Sequence, residues 1–360
     1  VPAPRLLDDH VRFEAALPAV DGHPVEAVRL DADDVVAGGR DFARVAADGA
    51  TTSWRLDLPR PPLQRFEYRF DVTAGGTTRT VLDPDNPARV PTAFGDRSVM
   101  AMPAYAAPGW LSAPAVPGTR TEVSLVAETA EPVPMTVWSP VTAGTDDALP
   151  MLLVHDGPEY DRLAALTQFS GAMIAAGRVA PHRVALATPV LRDAWYSGSP
   201  TYLRTEAGAG LTHLAEQFPT RGPVVVMGAS LGGLTALLVG LLSANGAGTV
   251  GGVFSQSGSF FTVHRDDQES GFKYFGRITR AVQQVLDAPG TEHPLRVAMT
   301  CGSLEENAGN NRDMAAALAR AGHDVTYREV PDLHNYTAWR DSLDPSLTDL
   351  LAALWGQPPC

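Results

Sequence analysis

The apolar positions of this chain follow two different periods. In the first 110 or so residues they fall in short alternating runs, Val25–Leu30, Ser53–Leu58 and Phe66–Val72, rich in Val, Leu, Phe and Arg. A period of two puts one face of a strand inward and the other outward. The runs are punctuated by Asp21-Gly22, Gly38-Gly39, Asp48-Gly49 and Gly75-Gly76, pairs that turn the chain. Short strands at this spacing predict an all-β sandwich, and no helical period of useful length interrupts them.

A proline-rich stretch follows, from Asp83 to Pro117, with prolines at 84, 87, 91, 103, 108, 114 and 117. Proline lacks the amide that ladders and helices need. The stretch is expected to be a linker ordered by Phe94, Tyr105 and Trp110. The expected division is therefore a sandwich with its linker over 1–115 and a second domain over 116–360.

From about Thr119 strands and helices alternate. Strands are predicted at Leu149–His155, Val184–Pro189, Val224–Met227, Gly252–Phe254, Arg296–Thr300 and Val325–Val330. Helices are predicted at Leu163–Ala176, Thr205–Gln217, Leu231–Ser243, Ile278–Leu286, Asn311–Ala321 and Ser346–Trp355. Apolar strands alternating with helices make a mostly parallel sheet covered on both faces, an α/β fold.

Composition narrows the function. At 360 residues the chain is long enough for two domains. A net charge of −13 supplies no basic footprint for nucleic acid, and an anionic ligand would need a local cluster of arginines. The two cysteines, Cys301 and Cys360, make no disulfide framework. No apolar run reaches the roughly 18 residues of a membrane span. The N-terminal residues VPAPRLLDDH lack the apolar core of a signal peptide, so a cytoplasmic protein is expected, although the missing initiator Met leaves room for a removed leader.

The strongest chemical signal is Gly228-Ala229-Ser230-Leu231-Gly232-Gly233, which ends one apolar strand and opens an apolar helix. That is the setting of a nucleophile elbow, where small residues permit a tight turn and the helix N-terminus faces developing negative charge. Ser230 is thus the candidate nucleophile. The base should come after it in the chain. Of nine histidines, His264 and His293 lie in polar turns and His323 ends a helix. His334 follows the last predicted strand and is the candidate base. Glu305 or Glu306, after the strand Arg296–Thr300, is the candidate acid to orient it, with Glu305 favoured. A site running as a Ser–His dyad is the alternative. Oxyanion donors are expected from the amide of Leu231 and from the loop Asp156–Tyr160. There Pro158 has no N–H, which leaves Gly157 or Glu159. No cofactor and no metal is called for by this chemistry.

The second half resembles the esterase D superfamily of α/β-hydrolases, and within it the enterochelin (iron–siderophore) esterases. The residues that carry the likeness are Val154-His155-Asp156-Gly157, the Ser230 motif, Ser255-Gln256-Ser257-Gly258-Ser259, Gly302-Ser303-Leu304-Glu305 and His334–Arg340. Asp83-Pro84-Asp85-Asn86-Pro87 and Ser98-Val99-Met100 resemble the exit of that family's N-terminal sandwich. Three positions depart from its pattern: Leu333 for a usual Gly, Asn335 for a frequent Asp, and Pro158 in the oxyanion loop. The resemblance implies hydrolysis of ester bonds in a ferric catecholate siderophore, with iron as cargo. It further implies an Arg at position 192 to grip the anionic ligand, with Trp195 and Tyr196 as candidates to stack on a catechol ring; a surface Arg in an ion pair with packed aromatics is the equal alternative. Arg65 or Arg69 are candidates to add charge from the sandwich. A generic carboxylesterase or acyltransferase is the rival reading. A non-catalytic binding protein on a hydrolase scaffold is the other, against which the intact Ser230, His334 and Glu305 argue. The partner expected is a small-molecule ester, with no nucleic acid and no membrane.

Overall fold

A computed structural model describes residues 4–32, 40–49, 51–125, 131–144, 146–246 and 249–356. Gly38, Gly39 and Cys360, singled out above, lie outside the described residues. The chain divides into one unit formed by Val1–Ala106 with Pro331–Leu333, and another formed by Ala107–Val330 with His334–Cys360.

The first unit is a β-sandwich. One sheet runs in the order Arg5–Leu6, His10–Pro18, Thr51–Pro59, Ala43–Asp48. The other runs Val25–Asp31, Arg65–Ala74, Arg97–Ala101, Arg89–Val90, with Thr77–Val81 also paired to Arg65–Ala74. Alternation sets the inward faces. Val11, Phe13, Ala15 and Leu17 are buried on one strand, and Trp54, Leu56 and Leu58 on its neighbour. The two faces meet through aromatic rings: Phe13 lies 5.0 Å from Tyr68 and 6.1 Å from Phe66. This arrangement withdraws Arg65 from any ligand. Its side chain is 1% exposed and ion-paired with Glu67 and, at 3.3 Å, with Asp332. Arg69 is likewise engaged, its Nε donating to Asp31 at 3.0 Å.

The proline-rich stretch is more structured than proline content suggests, because Arg97–Ala101 is a proline-free run long enough to pair with Arg65–Tyr68. The break between units falls at 106/107 rather than 115/116. The reason is Trp110, which is buried 5.3 Å from Phe169, while Gln168 Nε2 donates to the carbonyls of Trp110 and Ala113. These contacts tie the segment to the second core. Phe94 orders nothing, being 90% exposed.

The second unit is an eight-stranded sheet in the order Gly118–Leu125, Val133–Pro140, Arg183–Ala187, Met151–Val154, Val224–Ala229, Val250–Gln256, Arg296–Gly302, Asp324–Val330. The last six are parallel, and Val133–Pro140 runs antiparallel to both of its neighbours, Gly118–Leu125 and Arg183–Ala187. The antiparallel pair was not anticipated, since its outer member is exposed and carries Arg120, Thr121 and Glu122 in place of an apolar run. Burial is continuous along the central strands. On Val224–Ala229, Val224 and Val226 enter one apolar cluster, Val225 and Met227 the other. With both faces covered, the strand ends are where polar groups can emerge. No helix among the described residues is long and apolar enough to cross a membrane.

Candidate active site

Ser230 sits between the strand Val224–Ala229 and the helix Leu231–Ala244, with φ 56° and ψ −125°. A non-glycine residue here is strained, and strain of this kind persists only where the surroundings fix it. They do: Ser230 N–H donates to the Gln256 carbonyl at 2.9 Å, and its own carbonyl accepts from Gly233, Leu234 and Ser259. Gly228 is small of necessity, because a Cβ there would stand 2.4 Å from the carbonyl of Gly232. The Ser230 hydroxyl lies 3.2 Å from that of Ser259.

Glu305 and His334 follow the next strands along. His334 Nδ1 is 2.8 Å from Glu305 Oε2. A carboxylate at that distance holds the proton on Nδ1 and leaves Nε2 as an acceptor. The Glu305 side chain is 2% exposed, whereas that of His334 is 40% exposed. Oε1 of Glu305 accepts from Ser257 Oγ and from the Gly302 amide, each at 2.7 Å. Ser257 Oγ in turn accepts from Trp339 Nε1 at 2.9 Å, and the Trp339 ring meets His334 edge-on at 5.1 Å. Glu306, by contrast, is exposed.

The Ser255–Ser259 segment therefore touches both Ser230 and Glu305, with Ser259 beside Ser230 and Ser257 on Glu305. Gln256 is fully buried at its centre. Its Nε2 donates to Thr300, Trp339 and Ser342, and its Oε1 accepts from Tyr160. The roles of Gln256, Ser257 and Trp339 were not read from sequence, although all three lie in segments singled out there. Two of the departures from the family pattern have plain structural accounts. Asn335 Oδ1 accepts from the Ala338 amide and caps the helix Tyr336–Asp341, as an aspartate would. Pro158 stands in the first turn of the helix Gly157–Ala164, where its missing N–H costs nothing.

At the oxyanion loop, Gly157 packs so tightly that a Cβ would stand 2.4 Å from Leu186 Cα. Leu231 opens the helix behind Ser230. Both amides belong to the first turn of a helix, where N–H groups have no intrahelical partner. The amide of Asp156 is already taken, donating to Tyr196 Oη at 3.2 Å.

The three residues expected to bind substrate lie on the short helix Arg192–Tyr196, where the two aromatic rings are buried and the Arg192 side chain is 40% exposed. Trp195 and Tyr196 are buried, Trp195 stacked on Tyr202 at 5.0 Å, so neither ring face is open to a ligand. Arg192 is ion-paired to the Asp156 carboxylate through Nε at 2.9 Å and Nη2 at 2.8 Å. Among the other titratable groups, His323 accepts from the Leu295 amide and is buried, which holds its pKa below the ordinary value. His155 is enclosed, and burial takes it down to about 4. Cys301 is buried, and desolvation pushes its thiol up, which disfavours the reactive thiolate.

Residues 132–350 match the model of the Esterase family. This chain belongs to the Esterase family. Among solved structures it is similar to an enterobactin esterase from Shigella flexneri crystallised in the presence of 2,3-dihydroxy-N-benzoyl-glycine. Identity is 21% over 96% of this chain and 94% of that one, with a TM-score of 0.71. It is similar also to the ferric enterobactin esterase of Salmonella typhimurium, with 19% identity, 96% and 93% coverage and a TM-score of 0.73. A ferulic acid esterase matches more distantly, at 15% identity over 66% of this chain and 99% of that one, with a TM-score of 0.55. No curated protein sequence matches the chain. The α/β-hydrolase fold with a β-rich N-terminal region is thus common to this esterase and the enterobactin esterases.

Proposed function

We propose that this esterase cleaves carboxylic esters with Ser230 as nucleophile, His334 as general base and Glu305 as the orienting acid. Ser230 Oγ attacks the ester carbonyl as its proton passes to His334 Nε2. Glu305 stabilises the imidazolium. The carbonyl oxygen becomes an oxyanion held by the amides of Leu231 and Gly157. Collapse expels the alcohol, which takes the proton from His334. Water, activated by the same histidine, then hydrolyses the acyl-enzyme and frees the acid and Ser230. The observation that carries this reading is the His334–Glu305–Ser257 network, which supports a fixed imidazole tautomer, together with the strained turn at Ser230.

The substrate class proposed is a catecholate siderophore ester, with the iron as cargo and the cytoplasm as the site of its release. Its support is the likeness to enterobactin esterases across 96% of the chain, sandwich included. One observation favours the second reading, a general carboxylesterase: Asp156 neutralises Arg192, the cation expected to grip an anionic ligand. A liquid-chromatography assay against ferric and iron-free catecholate trilactones, run beside p-nitrophenyl acyl esters, decides between them. Turnover of the trilactones at rates comparable to or above the simple esters is expected. Brisk cleavage of simple esters with none of any trilactone would leave the general esterase.

A further inference from the structure

The turn after the strand Met151–Val154 is held in a conformation that its residues do not favour. Asp156 has φ 53° and ψ 40°, in the left-handed region. Gly157 next to it is pressed against the backbone of Leu186. Aspartate tolerates the left-handed region better than most residues, yet such a turn stays put only where its surroundings over-determine it. Here the surroundings are one short helix, Arg192–Tyr196. Its first residue grips the Asp156 carboxylate bidentately, a planar fork that fixes direction as well as distance. Its last residue accepts the Asp156 amide proton on Tyr196 Oη. Asp156 is thus held at side chain and backbone together, and its carboxylate is 5% exposed.

The helix that does the holding is itself anchored. Trp195 stacks on Tyr202, Thr235 Oγ1 donates to the Tyr196 carbonyl at 3.0 Å, and Arg277 donates to the carbonyls of Ala194 and, at 2.7 Å, Ser197. Arg192 also lies over the Tyr196 ring, 5.8 Å from its centroid. These contacts converge on Asp156, the residue before Gly157.

We infer that Arg192 and Tyr196 are positioning residues that clamp Asp156 and thereby aim the Gly157 amide at the oxyanion. The inference rests on the reaction proposed above. Oxyanion donors act on the transition state far more than on bound substrate, so a loosened clamp lowers kcat and leaves KM nearly alone.

The test uses Tyr196→Phe and Arg192→Ala in the full-length chain, with p-nitrophenyl acetate as the neutral ester and 4-acetoxybenzoate as the anionic one. Each variant is expected to lose roughly tenfold to a hundredfold in kcat on both esters, with KM within about twofold. Affinity for an aryl boronic acid, which forms a tetrahedral adduct on the serine, should fall by a similar factor. Labelling by a fluorophosphonate should still reach one per chain, which a folding defect would reduce. Should Arg192→Ala fold poorly, Arg192→Lys keeps the charge without the fork and is expected to lose kcat in the same direction. Wild-type kcat in Tyr196→Phe would overturn the clamp. So would a rise in KM confined to 4-acetoxybenzoate in Arg192→Ala, which would return Arg192 to a ligand-gripping role. Persistence of turnover in Ser230→Ala would instead strike the proposed reaction and leave the clamp's failure a separate matter.

Discussion

Tyr68, Asp83 and Asn86 are buried in the N-terminal unit, and each of their polar atoms has a partner. Tyr68 donates to Asp83 at 2.6 Å, Asn86 Nδ2 donates to Tyr68 Oη and to the Val99 carbonyl, and the remaining oxygens accept from the amides of Asp85 and Ala88. Tyr202, Thr205 and Glu206 are buried as deeply in the second unit, yet the Thr205 hydroxyl has no hydrogen-bond partner among the described residues, and the Glu206 carboxyl has only the neighbouring Tyr202 hydroxyl to set against its burial. The first cluster closes on itself and fixes a fold. The second leaves a carboxyl group poorly compensated next to Tyr202, whose ring lies 5.6 Å from that of Tyr196. Between these extremes stands the Glu305 carboxylate, which accepts from Ser257 and Gly302 on one oxygen and meets His334 on the other. Buried polarity closes on itself in one unit and is left partly uncompensated, at a cost in stability, in the other.

The largest effect expected from this contrast is on kcat. Glu305→Gln offers an amide N–H where His334 Nδ1 needs an acceptor, which turns the imidazole to the wrong tautomer. A loss of about 10²–10⁴ in kcat is expected with the fold retained, while Glu306→Gln changes kcat by less than about threefold. Steady-state kinetics of the two variants check this. Equal, small effects would mean a dyad.

Next comes the poorly compensated cluster. Burial raises the Glu206 pKa to about 7 in the folded protein, above the ordinary 4.5. The folded state then holds a proton that the unfolded state releases, so stability is full below about pH 4.5 and is lost progressively as pH rises to about 7. The loss is on the order of 3 kcal/mol, taking about 1.4 kcal/mol for each pH unit between those values. Glu206→Gln stays neutral throughout. Its Tm should match the wild type near pH 4.5 and exceed it at pH 8. A wild-type stability curve that runs parallel to the variant's would remove Glu206 from the account.

The smallest effect should come from the satisfied cluster. Tyr68→Phe strips Asp83 of its donor and Asn86 of an acceptor, which should cost about 1–3 kcal/mol in denaturant unfolding. Turnover should be unchanged, since no group of this cluster touches a reacting residue. A fall in kcat without a fall in stability would break the contrast between the units.

How much of this was legible in the sequence follows the same physics. The parallel strands from 149 onward were readable because burial on both faces makes them continuously apolar. The Gly228–Gly233 turn was readable because its sterics admit few residues. Strands such as Ala43–Asp48 and Thr77–Val81 were not, since every residue in them is exposed and pairing alone defines them. At the candidate site, the pairing of Glu305 with His334 could be anticipated because each follows a readable strand. Arg192, Trp195 and Tyr196 were placed on one turn, with ligand contact and inward packing left as equal alternatives. Nothing in a pentapeptide of Arg, Asp, Ala, Trp and Tyr tells which side of a short helix the core will claim. That Asp156 would capture Arg192 depends on two loops meeting, which no local pattern records.

The chemistry assigned to Ser230 meets its most direct test in peptide mass spectrometry after treatment with a fluorophosphonate. A single adduct on Ser230 is expected, formed at neutral pH in the wild type and absent from Ser230→Ala. That variant should also lose about 10³-fold or more in kcat with an unchanged melting temperature. An adduct on any other residue, or esterase activity that survives in Ser230→Ala, would contradict the assignment.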